Sequence, residues 1–185
     1  MGVSVQTRHL KWAKREYNLL LQWIDGRGYC GYDTCCSLEG MPRKELLLKM
    51  HTAAAPYNDR FVNERCWGRH CRELKDTRGH IVFTAGDMAA RAQRYLAVIT
   101  AIEENRQVLE GEHWFELDDA RVLSVLFDCP YLMILQCPKF PIRLYDGPDI
   151  YAYASAKLYE DAWGKKCVRK GFAYSPGHFN ALVLS

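Results

Sequence analysis

Tyr174-Ser175-Pro176-Gly177-His178-Phe179-Asn180-Ala181-Leu182-Val183 reads as a β-hairpin. The apolar run over 171–174 leads into a Ser-Pro-Gly turn, and a second apolar run follows over 179–184. Proline and glycine punctuate the chain at that point, and short β-prone runs on either side of such a turn pair with each other. His178 falls at the junction of turn and strand. Side chains two apart in a strand share a face, so Asn180 lies on the same side as His178. A histidine in a strand is commonly a packing residue. This one has an amide two residues on that can hold its ring in one tautomer.

Outward from the hairpin, residues 131–135 and 142–145 read as two further short strands. The part of the chain before them is helical in pattern. Residues 7–23 carry Leu10, Trp12, Tyr17, Leu20 and Leu21 at helical spacing, which predicts an amphipathic first helix broken at Asp25-Gly26-Arg27-Gly28. Further helices are expected from near Cys30, over 42–51 and over 56–74. Thr84 with Asp87 reads as a capping box for a helix carrying Met88, Ala92, Tyr95, Ile99 and Ile102, with Gly111 as its stop. A last helix is expected over 116–127, with Glu116, Asp118 and Asp119 in its first turn and Cys129-Pro130 beyond its end. Helices first and strands later imply an α+β fold: one domain over residues 1–185, with a small, mainly antiparallel sheet flanked by helices.

Composition narrows the function. The 185 residues are 49% hydrophobic, enough for one packed core. The net charge of +3 is small and spread out, which argues against a nucleic-acid partner. The densest basic run, Lys165, Lys166, Arg169 and Lys170, reads as a solvated loop or helix end. No apolar stretch approaches a membrane span, and the charged start after Met1 is unlike a signal peptide or a myristoylation site. Eight cysteines are therefore expected as reduced thiols in a cytosolic setting. Cys66, His70, Cys71 and His80, or Cys30, Cys35 and Cys36, offer zinc-ligand chemistry, but there are no paired Cys-x-x-Cys knuckles. No metal or cofactor is expected.

A thiol nucleophile needs ionisation, a base within reach, and donors for the oxyanion. Free cysteine is only a few per cent thiolate at neutral pH. At a helix N-terminus beside an imidazolium its pKa can fall to roughly 3.5–7.5. The loop Asp25-Gly26-Arg27-Gly28-Tyr29 delivers Cys30 to the start of a helix, where its backbone N–H groups are candidate oxyanion donors. Cys30 as nucleophile, His178 as base and Asn180 as the residue orienting that base make up Cys-His-Asn logic.

These residues carry a resemblance. Asp25-Gly26-Arg27-Gly28-Tyr29-Cys30-Gly31-Tyr32 resembles the Asp-Gly-x-Cys nucleophile loop of the ovarian-tumour (OTU) cysteine proteases, and its Cys-Gly-Tyr is similar to the arterivirus papain-like members. His178-Phe179-Asn180 is similar to that family's His-aromatic-Asn motif. The span from Trp114 through Glu116-Leu117 and Ala120 to the strand at 131–135 resembles its middle signature. One departure is plain: the family's aspartate stands three residues before the cysteine, whereas Asp25 stands five before Cys30. The resemblance implies a papain-like OTU fold and a deubiquitinase that cleaves the isopeptide bond after the C-terminal Gly-Gly of ubiquitin or a ubiquitin-like protein. It also implies a monomer acting in the cytoplasm, or in host cytosol as a viral or bacterial effector. Trp114, Glu112 and Phe179 are then expected to contact substrate, and Asp118 and Asp119 are further candidates to meet a basic tail. Two other readings stay open: a decayed OTU fold that binds ubiquitin or a host protein without cleaving it, and a papain-like protease using Cys66 and His113.

Overall fold

The computed structural model describes residues 4–56, 81–82, 88–164 and 168–185. Helix α1 (Val5–Tyr17) is capped by Ser4, whose hydroxyl accepts from the Thr7 N–H, and closes on Asn18 in the left-handed conformation. Here the expected helix over 7–23 is corrected. Leu19–Gln22 is strand β1, paired antiparallel with Ala181 to Leu184 near the other end of the chain. A leucine run fits a helix and a strand equally well, and this partner lies some 160 residues away.

The remaining helices are α2 (Cys30–Glu39), α3 (Arg43–Ala54), α4 (Met88–Glu103), α5 (Asp119–Phe127) and α6 (Ala156–Trp163), with a 3₁₀ turn over Gly111–His113. Two expected bounds move, and one helix is new. α4 ends at Glu103 rather than near Gly111, with Asn105 at φ 57°. α5 starts at Asp119, three residues later than expected, and α6 was not expected. The helix expected over 56–74 and the capping pair Thr84 and Asp87 lie outside the described residues, apart from Pro56 itself, which lies in a turn.

The strands are β1, β2 (Ile81–Val82), β3 (Tyr131–Leu135), β4 (Ile142–Asp146), β5 (Asp149–Tyr153), β6 (Lys170–Ser175) and β7 (His178–Leu184). They form one sheet of order β1-β7-β6-β3-β4-β5-β2. Every pairing is antiparallel except β3 with β6, so the fold is mixed α and β around a mostly antiparallel sheet, as expected, but the sheet has seven strands and is not the small four-stranded one the sequence suggests, since β1, β2 and β5 join it. β3 and β5 are buried at all five positions, because helices cover both faces. On one face Trp12 and Tyr17 of α1 pack edge-on against Tyr159 of α6, which also meets Tyr153. On the other, α2 packs on β7, α5 on β4, and α3 on both α4 and α5. Tyr131, Phe172, Phe179 and Phe115 form an aromatic chain between that face and the loop before α5.

A buried ion network sets the position of that loop. The Asp119 side chain is fully buried. One oxygen accepts from the Tyr95 hydroxyl (2.7 Å) and from Arg91 (3.0 Å), and the other from the Glu116 N–H (2.8 Å). Arg91, only 5% exposed, also meets Glu116 and Asp118. Removing one partner of a buried pair leaves the other charge uncompensated. Asp119→Ala is expected to cost about 3–5 kcal/mol of unfolding free energy, read from urea denaturation. A loss below about 1 kcal/mol would show that the network does not hold α4 to α5.

Candidate active site

The N-terminus of α2 points at the turn between β6 and β7. Cys30 is its first residue, and the thiol lies 4.0 Å from the Gly177 carbonyl oxygen, at the peptide directly before His178. Thr34, one turn into α2 and fully buried, shares its hydroxyl proton between the Cys30 carbonyl (2.7 Å) and the Phe179 carbonyl (3.3 Å). One side chain thus ties the helix of Cys30 to the strand of His178. Sequence stretches 147 residues apart meet here.

The ring of His178 is oriented by Asn180. Its Nε2 lies 3.0 Å from Asn180 Oδ1, and the same oxygen accepts the Ile24 N–H at 2.8 Å. A backbone N–H can only donate, so it requires the oxygen of the amide, and not its NH₂ group, at that position. With the oxygen placed, the His178 nitrogen facing it must carry the proton. In the neutral ring the lone pair is then on Nδ1, the nitrogen left free to act as a base.

The glycine loop before Cys30 is held from three sides. The Leu109 N–H donates to the Arg27 carbonyl (3.1 Å), the Tyr29 hydroxyl to the Arg106 carbonyl (3.2 Å), and the Cys30 N–H to the Gly26 carbonyl (3.1 Å). Gly28 has φ +79°, and a Cβ there would stand 2.6 Å from both the Leu109 oxygen and Trp114 Nε1. At Gly31 a Cβ would come within 2.3 Å of Phe115, so the helix start and the Phe115 ring approach as closely as they do because residue 31 has no side chain. Beneath the loop, Arg43 grips Asp33 with two hydrogen bonds (2.5 and 2.7 Å) and stacks its guanidinium on the Tyr29 ring, 4.1 Å from the centroid.

A groove of about 440 Å³ runs past the thiol, lined by Gly28, Cys30 and Gly31 on one side and by residues 114–118, Tyr174, Gly177 and Phe179 on the others. Trp114, 41% exposed, stands in its wall with its indole N–H on the Leu109 carbonyl (2.8 Å). Phe179 is buried and borders the groove.

Other expected residues fall elsewhere. Glu112 is exposed and is not a lining residue; it lies 3.7 Å from His113, and with Glu110 these potential ligand atoms gather within 4.8 Å of one another. Such exposed acidic groupings are common without an ion. Asp119 is sealed in the ion network, and Asp118 lines the groove with Arg91 3.5 Å away. Burial pushes the Asp118 carboxyl up from the usual carboxylate range. Asp25 is exposed, and no hydrogen bond or ion pair holds it among the described residues; the carboxylate packed beneath the loop is that of Asp33. The Cys30 N–H is already spent on Gly26, which removes it from the candidate oxyanion donors in this state.

The other thiols of α2 are poor nucleophiles. Burial pushes Cys35 well up and Cys36 up to about 11. Cys66, and with it the pairing of Cys66 and His113, lies outside the described residues, as do His70, Cys71 and His80. No protein-family model, curated protein or solved structure matches this chain.

Several contributors carry no local signal: Trp23, which stacks on the His178 ring, Ile24, Thr34, and the pair Asp33 and Arg43. Asn180→Ala strips the acceptor from a buried N–H and from the ring together. It is expected to cost about 1–3 kcal/mol of stability and to return His178 to a mixture of tautomers, read from imidazole ¹⁵N shifts. Asn180→Asp keeps the acceptor and should retain the Nε2–H form; a mixed tautomer in that variant would remove this account of the ring.

Proposed function

We propose that the chain is a cysteine protease of the OTU deubiquitinase kind, which hydrolyses the isopeptide bond after the C-terminal Gly-Gly of ubiquitin or a ubiquitin-like modifier. The observation that carries the reading is the meeting of the α2 N-terminus with the β6–β7 turn, which sets Cys30 beside the peptide of a histidine already oriented by Asn180. Nδ1 of His178 takes the Cys30 proton, and the thiolate attacks the substrate carbonyl carbon. The tetrahedral adduct collapses as the imidazolium protonates the departing lysine amine, leaving a thioester on Cys30. Water, deprotonated by His178, then attacks the thioester, and the C–S bond breaks to release the carboxylate and the thiol.

Cys30 is the first residue of α2 and so stands at the end of the helix that carries partial positive charge. The groove beside Cys30 is bordered by the aromatic side chains of Trp114, Phe115, Tyr174 and Phe179, which supports selectivity for a narrow chain without side chains. Glu116 and Asp118, the acids that line the groove, are engaged by Arg91. No helix among the described residues is long and apolar enough to cross a membrane.

The test is covalent capture by ubiquitin carrying a C-terminal electrophile, alongside cleavage of di-ubiquitins and of an interferon-induced ubiquitin-like conjugate. Cys30→Ala and His178→Ala are expected to abolish turnover, and Asn180→Ala to reduce it less, since only orientation is lost. Wild-type protein that ignores every probe, with Cys30→Ala unchanged, would turn the reading to a binding module. Labelling at Cys66 would turn it to the alternative nucleophile.

A further inference from the structure

We infer that Trp23 is a positioning residue for His178, an aromatic cover that favours the protonated ring; the inference rests on the triad reading above. Trp23 follows the edge strand β1 and is 71% exposed, the most exposed of the large apolar side chains described. Isolated exposed apolar residues need no explanation, but this one has a specific partner. Its indole stacks on the His178 imidazole, with centroids 4.7 Å apart and planes 28° from parallel. The next residue, Ile24, turns inward and gives its N–H to Asn180 Oδ1. Consecutive residues therefore act on one imidazole: residue 24 fixes its Nε2 end through Asn180, and residue 23 covers a face.

The physical consequence has a sign. An aromatic face carries negative quadrupole charge and attracts a cation stacked on it, so the cover favours imidazolium over imidazole. The stack also resists rotation that would carry Nε2 away from Asn180 Oδ1. Loss of the indole makes the protonated ring less stable, and His178 then releases its proton at lower pH. Among the described residues, the titratable groups that line the groove beside the β6–β7 turn are Cys30 on α2, Tyr174 on β6, and Glu116 and Asp118 in the segment before α5. The Trp23 variants alter none of them.

The experiment follows the His178 ring by NMR titration in the Cys30→Ala background, with His178→Ala to assign the signal. Trp23→Phe keeps an aromatic face, whereas Trp23→Leu keeps an apolar cover without one. Trp23→Leu is expected to lower the titration midpoint by about half a pH unit, with Trp23→Phe close to the parent. In the chain with Cys30 intact, Trp23→Leu should lower kcat/KM about two- to fivefold, move its acid limb to lower pH and leave KM little changed. A midpoint that stays put or rises in Trp23→Leu overturns the inference, and so does an equal fall in both variants. The titration needs no substrate, so it decides this point even where no ubiquitin conjugate is cleaved.

Discussion

One side-chain oxygen, Asn180 Oδ1, takes protons from two parts of the chain that are remote in sequence: the backbone of Ile24 and the ring of His178. The first bond secures the segment leading from β1 to the nucleophile loop. The second orients the histidine on β7. The bond to Ile24 is buried, so that N–H has no water as a ready substitute, and a buried donor left without an acceptor costs more than an ordinary hydrogen bond contributes. The geometry of the site is therefore tied to the pairing of β1 with β7 rather than to the loop alone.

The loop itself is anchored independently of that oxygen. Asp33 and Arg43 brace it from beneath, the backbone around Leu109 closes over it, and Trp114 fills the space that Gly28 leaves open. Residues 114–118 are held in turn by the buried pair of Asp119 and Arg91. The groove is thus built on rigid elements: a helix start, a strand end and a segment fixed by a charge network. Such a scaffold fixes the groups that border the groove before any ligand arrives, which is what the proposed activity calls for.

Acidic residues that a local reading assigns to substrate turn out to have structural partners. Asp118 and Asp119 sit where a helix N-terminus would favour them in any protein, and burial decides between the two roles. Asp119 is closed off entirely, whereas Asp118 still borders the groove. A side chain's charge can be read along the chain, but its exposure depends on what packs over it.

The sequence by itself determined the hairpin, the spacing of His178 and Asn180, the glycine loop before Cys30 and a mainly antiparallel sheet behind helices, because each is a pattern of a few neighbouring residues governed by turn chemistry and side-chain period. Tertiary structure alone decided that Leu19–Gln22 is a strand and not the end of α1, that Asp33 rather than Asp25 packs beneath the loop, and that Trp23 covers the histidine. Each of these depends on a partner many residues distant. A backbone segment or side chain that can satisfy two local conformations takes the one whose hydrogen bonds and buried contacts the rest of the fold completes.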